Sequence, residues 1–375
     1  MTPDERHIRS VEYGSDFSAP PSEPLVDVVI KPAGLRDALR LRSVDVTLRL
    51  NQPESLLASP LLIRKPAELL TRPKERKPTT LVAESGGELL GFAEFQPSMP
   101  DLRWLLCAVG LQHAATDPIP VWLPLFEDAT RRAGASGVKR LFARAPVDSP
   151  VSHALRQAGY TPYARERIFS SSHAVAATSG IVIREQERTD TWAVHQLYIA
   201  SVPREVQYAE AYTSHRWELS EGRSISNGDV RAWLHEMNDT PIVYARSESA
   251  RRRHVFDVIF PPGSAEIAAQ VLDSVISRGS HVSTGGEIFL AVRTYNTELE
   301  QHLIERKFAL RMEQDLFVRY TTAPLRVVTS ETILQEIDAH ERSPRGVPAF
   351  FVDGSANGKS QFVISGIKHR QPPAG

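Results

Sequence analysis

The chain has 375 residues, enough for about two domains, and its 41% hydrophobic and 24% charged content is that of an ordinary globular protein. Lys and Arg number 44 against 45 Asp and Glu, a formal net charge of -1, so bulk electrostatics gives no reason to expect nucleic acid or an anionic membrane as the main partner. The one cysteine, Cys107, excludes an intramolecular disulfide and any multi-cysteine zinc site, and its apolar setting between Trp104 and Val109 reads as a buried, inert thiol.

Residues 1–24 are polar and close on Pro20, Pro21 and Pro24, which predicts a loosely ordered arm without the apolar stretch of a secretory signal. From Leu25 the pattern turns regular. LVDVVI predicts a β-branched strand, Leu35–Val44 a helix, and Leu61–Leu70 a second helical stretch that ends at Pro73. The charged run Lys74–Lys77 reads as a solvated connector. Strands at Thr80–Ala83 and Leu89–Phe95 flank Ser85-Gly86-Gly87, a hairpin signal, and Leu102–Val109, apolar on both faces, predicts a central strand. A helix follows in VWLPLFEDATRRAGA, with Pro120 suited to its first turn and Pro124 expected to bend it unless it starts later. Lys139–Ala143, Pro150–Ala158 and Tyr163–Phe169 complete this half as strand, helix and strand.

The same order recurs. GIVIRE predicts a strand, Thr191–Ala200 a helix, and Pro203 opens a further helical stretch carrying Val206, Ala209 and Tyr212. A turn at Asn227-Gly228 is expected between strands near Ser224 and at Val230–His235. Pro241–Arg246 and His254–Phe260 pair across an arginine-rich turn, Ala265–Ile276 is an amphipathic helix, and Glu287–Val292, Glu298–Arg306 and Leu310–Arg319 repeat strand, helix and strand. Without a gap, Leu141–Phe169 overlays Phe289–Phe317 at a constant offset of 148 residues, bringing Leu155 onto Leu303, Tyr160 onto Phe308 and Phe169 onto Phe317. A duplicated unit explains that spacing. After Arg326 a helix (Glu331–Ala339), a hairpin (Ala349–Val352 with Gln361–Ser365) and a polar tail form an extension.

This order of elements, run twice, resembles the GNAT superfamily of N-acetyltransferases in tandem arrangement, with Gly159-Tyr160 where the family has Gly-Phe after its last helix and Lys307-Phe308 as the looser counterpart. The fold so implied is α+β: two GNAT-like domains, each a mixed, mostly antiparallel central sheet with a strand split, flanked by helices. The expected organisation is an arm over 1–24, domains over 25–175 and 176–325, and an extension over 326–375. The resemblance implies that acetyl-CoA enters the split, its pantetheine arm pairing with freed backbone and its pyrophosphate approaching a helix N-terminus. The family's Gly-rich loop corresponds to VGLQHAATDPIPVW and to IFPPGSAEIAAQ, and the second places Phe260, Pro261, Gly263 and Ser264 as cofactor contacts. Ser264 could equally cap its own helix. Asn296 matches the family's Asn before the last helix and is either a CoA contact or a cap, whereas the family's proton-donating Tyr is replaced by Leu155 and Leu303.

An amine must lose a proton before attacking a thioester. Asp257, in the apolar strand HVFDVIF, is the candidate base, with a raised pKa if buried, or a partner of the local arginines; Glu94 is the weaker equivalent in the first half, or a solvent-facing residue. Glu205, Tyr208, Glu210 and Tyr212, in PREVQYAEAYT, lie where this family borders its acceptor, and an exposed helix face explains them as well. His235–Asp239 departs from a zinc-protease helix, and GSANGKS at Gly354–Ser360 is one residue short of a phosphate loop, so no metal site is expected. No run approaches the roughly 20 apolar residues of a membrane span. The expected protein is soluble and cytoplasmic, transfers an acyl group from acetyl-CoA to a small-molecule or peptide amine, more readily in the second domain, and has no nucleic-acid or membrane partner. The alternative is a catalytically inactive binding or regulatory protein of the same fold.

Overall fold

The computed structural model describes residues 28–41, 44, 46–49, 79–98, 103–113, 117–172, 180–219, 229–250, 252–278 and 286–321. All of these fall in one compact unit, Met1–Ala323, and a second unit, Pro324–Gly375, lies outside the described residues. The arm over 1–24, the helical stretch Leu61–Leu70, the connector Lys74–Lys77, the Asn227-Gly228 turn and the extension over 326–375 also lie outside them.

Thirteen strands form one mixed sheet. In the first half β1 (Val29–Pro32), β2 (Val46–Arg49), β3 (Thr79–Ser85), β4 (Glu88–Ser98), β5 (Arg103–Leu111), β6 (Arg140–Pro146) and β7 (Thr161–Ser171) accompany α1 (Leu35–Arg40), α2 (Ile119–Ala135) and α3 (Pro150–Gln157). The second half carries β8 (Arg184–Glu185), α4 (Thr191–Ser201), α5 (Arg204–Glu210), β9 (Asp229–Met237), β10 (Thr240–Ala250), β11 (Arg253–Ile259), α6 (Ala265–Arg278), β12 (Glu287–Arg293), α7 (Glu298–Glu305) and β13 (Ala309–Tyr320). This is the α+β order of elements, run twice, that the repeated pattern implies. Two elements differ from expectation: β2 stands where no strand was predicted, and GIVIRE yields only the two-residue β8.

Local chemistry explains the boundaries. The β3–β4 hairpin turns on Gly86 and Gly87, whose φ of 57° and 84° suit a two-residue loop of the hand that strand twist requires. Asn238 and Asp239 do the same between β9 and β10, with φ of 52° and 59°. Ser149 caps α3 by accepting from the Ser152 N–H at 3.2 Å, with Pro150 behind it in the first turn. Helix α2 starts at Ile119 and runs through Pro124, held to the sheet by the buried stripe Val121, Trp122, Leu125, Phe126, Ala129 and Ala133. Each half has its own apolar core, one under α2 and α3, the other under α6 and α7.

The offset of 148 residues found in the sequence lands element on element: α3 on α7, and β7 on β13. Leu155 and Leu303 are both fully buried, as are Phe169 and Phe317 to within 2%. Equivalent strands do not stay in their own halves, however. The sheet runs β6–β13–β7–β12, so each half's last strand inserts beside the other half's β6-type strand. Strands β7 and β13 pair antiparallel with Glu166 opposite Gln314, two equivalent positions, which places a local two-fold between them. Arg165 bonds Asp315 at 2.8 Å and Arg167 bonds Glu300 at 2.8 Å around that centre.

Candidate functional site

Among the described residues two strand pairs are parallel, and both splay apart. Strands β5 and β6 pair over Arg103–Leu105 and Arg140–Phe142 and then separate. Strands β11 and β12 pair over Arg253–Phe256 and Glu287–Leu290 and then separate. The edges exposed by the two splits have different fates. On β5, Ala108–Leu111 pairs with β4 on one side and with β2 on the other, so the chain's own backbone covers the edge that β6 vacates. On β11, Asp257–Ile259 pairs with β10 alone, and among the described residues nothing pairs with the side facing β12.

The open cleft beside β11 is walled by the ends of α4 and α5, by the 3-10 turn Ser214–Trp217, and by β12. At its floor lies a buried charge network that strand exchange assembles. Glu166 of β7, with no exposed surface, meets Arg293 Nε at 2.9 Å and Arg144 Nε at 3.2 Å and accepts from Gln314 Nε2 at 2.7 Å. Burial pushes its carboxyl pKa up, but Arg144, Arg293 and the Gln314 hydrogen bond outweigh burial and hold it below the usual value. Arg293 reaches on to Glu210 at 3.2 Å, and Glu210 accepts from the Tyr198 hydroxyl at 2.9 Å. Burial, then Glu210, raises Tyr198's pKa, so its phenol stays protonated.

Two titratable groups stand over this floor. Tyr295, just past β12, lines the cleft and has its pKa raised, first by burial and then by Glu210, Asp257 and Glu166 against the opposing pull of Arg293. Asp257 lines the opposite wall. It is exposed, which corrects the expectation of a buried carboxylate: β12 leaves β11 at Phe256, and the next residue faces the gap. Its cross-strand neighbour is Arg246, and no ion pair joins it among the described residues.

The remaining predicted residues divide. Phe260 and Asn296 line the cleft. Pro261, Gly263 and Ser264 form the turn into α6, with Gly263 at φ 80° and the Ser264 carbonyl accepting from Ala268 N–H at 2.9 Å. The Gly263 N–H, the donor expected to face a phosphate, instead bonds the exposed carboxylate of Glu298 at 3.1 Å. Tyr212 lines the cleft between the guanidinium groups of Arg103 and Arg216, at 4.7 and 5.2 Å from its ring. Glu205 and Tyr208 are exposed on α5 outside the cleft lining, Tyr208 lying 6.3 Å from Tyr320. Glu94 is 4% exposed on β4, in register with Ala108, which corrects its solvent-facing alternative.

Sequence reading missed Glu166, Arg293, Tyr198 and Tyr295, whereas Glu210 was among the residues it named in PREVQYAEAYT. Tyr295 adjoins Asn296, so proximity was a usable signal there. Glu166 carried a weaker one, a carboxylate at alternate spacing between Ala164 and Ile168, although Arg165 and Arg167 flank it. Among the described residues no group of His, Cys, Asp or Glu could hold a metal ion, and no helix is long and apolar enough to cross a membrane.

No protein-family model and no curated protein matches the sequence. Among solved structures, a GCN5-related N-acetyltransferase from Sphaerobacter thermophilus is similar at 12% identity and TM-score 0.49, covering 81% of this chain and 98% of its own. A tandem GNAT protein from the clavulanic acid biosynthesis pathway is similar at 12% identity and TM-score 0.47, covering 79% and 99%. A GNAT-family acetyltransferase from Colwellia psychrerythraea is similar at 12% identity and TM-score 0.39, covering 78% and 99%. At such likeness the cleft's own geometry has to carry any functional reading.

Proposed function

We propose that the protein is a cytoplasmic N-acyltransferase whose second-half cleft takes an acyl group from acetyl-CoA and delivers it to an amine. The observation that carries this reading is the unpaired β11 edge at Asp257–Ile259, beside a neutral phenol and a carboxylate. An extended pantetheine arm fits such an edge, because its amides can complete a half-made ladder. The phosphate end fits only if Glu298 leaves the Gly263 N–H, a surface contact that water can replace. Bound acetyl-CoA supplies the activated thioester. Asp257 would take a proton from the acceptor ammonium, and the Tyr295 hydroxyl would return one to the departing sulfur. Asp257, a lining carboxylate with no ion pair among the described residues, supplies a counter-charge for a cationic amine.

Calorimetric titration with acetyl-CoA, followed by release of free CoA in the presence of an amine panel, tests the reading. Saturable binding at one site per chain is expected, since β2 covers the other split. Binding without CoA release from any amine favours the second reading, a non-catalytic binding protein, to which Glu298 at the loop and the two leucines in place of tyrosine already lend support. No heat at all removes both readings of the cleft.

A further inference from the structure

On the face of β5 and β6 that packs a smaller apolar cluster of Leu105, Phe142 and Val318, the register sets Arg103 directly opposite Arg140 at the paired end of the strands, two like charges side by side. Arg103 is 5% exposed, and its guanidinium lies 5.6 Å from the Phe142 ring and 4.7 Å from the Tyr212 ring. Its one hydrogen bond among the described residues is a long one, 3.5 Å from Nε to Ser98 Oγ. Arg140 packs on Tyr320 at 5.5 Å, with a buried Nε that no acceptor meets among the described residues. Neither arginine has an ion pair among the described residues. The rest of the interior behaves otherwise: Glu166, Glu210, Asp273 and Asp315 each meet an arginine.

A buried cation without a counter-charge is strongly disfavoured, and here Arg103 is one, with the half-buried Arg140 beside it in register. Rings against the plane of the Arg103 guanidinium satisfy its faces and leave its Nη edge, the fork that grips planar oxyanions, without a partner. We infer that Arg103 and Arg140 form an oxyanion site, which takes a carboxylate or phosphate group of a small ligand, with Ser98 fixing the fork. The site is separate from both strand splits, although the Tyr212 ring forms a wall of this site and of the open cleft. It does not depend on acyl transfer.

The test uses the full chain, titrated with succinate and with inorganic phosphate against chloride at constant ionic strength, with melting temperature and calorimetric heat as readouts. A saturable rise in melting temperature is expected with one oxyanion and not with chloride, and the effective anion names the source. In Arg103→Met the response disappears. In Arg140→Met it weakens, and in Arg103→Lys, which keeps the charge but not the fork, binding falls about tenfold or more. Without anion, Arg103→Met should melt at or above the wild type, because an uncompensated charge has gone. A wild type indifferent to both anions overturns the inference, as does a response undiminished in Arg103→Met or, should that variant not fold, in Arg103→Lys.

Discussion

The two halves of the molecule share a fold and a spacing, yet their clefts are opposites. In the second, β7 places Glu166 beside Arg293, and the edge of β11 lies open. At the equivalent positions of the first, β13 places Gln314 beside Ala145 and Pro146, and β2 covers the edge of β5. Among the described residues, this buried ion pair and an unpaired edge occur together in one cleft, and neither has a counterpart at the equivalent positions of the other. Duplication supplied the scaffold twice, and among the described residues a few substitutions and the strand β2 leave one place where an extended ligand can complete the sheet.

The largest effect should come from the residue that distinguishes the clefts. Glu166→Leu strands Arg144 and Arg293 without their shared carboxylate and should cost about 3–5 kcal/mol, against about 1 kcal/mol for Gln314→Leu, measured by denaturant unfolding. Equal costs would break the comparison. The same carboxylate sets an acid limit. Because its folded pKa lies below its ordinary 4.5, its stabilisation is complete above about pH 4.5 and is lost as pH falls through the lower folded value. Glu166→Leu should flatten that acid slope.

Tyr295→Phe comes next. If Tyr295 protonates the leaving sulfur, kcat should fall about a hundredfold with little change in acetyl-CoA affinity. A smaller change follows from Lys307, which occupies the left-handed region at φ 63° where its equivalent, Gly159, sits at φ 77°. Lys307→Gly should stabilise the protein by about 1 kcal/mol and Gly159→Ala should destabilise it, since only glycine adopts that geometry without crowding its own Cβ. The smallest effect is expected at the loop into α6. Glu298→Gln removes a negative charge from the Gly263 N–H and should tighten acetyl-CoA binding severalfold, more at low salt than at high. Unchanged affinity would separate this loop from the ligand.

Much of this was legible in the chain itself. Helix periodicity, paired glycines and the 148-residue repeat give the order and limits of nearly every described element, because those signals are local. Asp257, Phe260, Asn296 and Tyr212 were found and do line the cleft, since each lies near the end of an element that the pattern locates. Glu205 and Tyr208 come from the same helical stretch, but its outward face was not distinguishable from its inward one in seven residues of α5.

What the sequence determined alone was the class of structure and its duplication: alternating apolar strands and amphipathic helices bury themselves in few ways, and a repeated spacing repeats the result. The tertiary structure decided which strands became neighbours. Nothing in the sequence of β7 or β13 announces that each completes the other half's sheet, nor that β2 closes one split, because backbone ladders are indifferent to side-chain identity and pairing partners lie far apart along the chain. That choice of neighbours brings Glu166 to Arg293 and leaves Asp257 facing an open cleft.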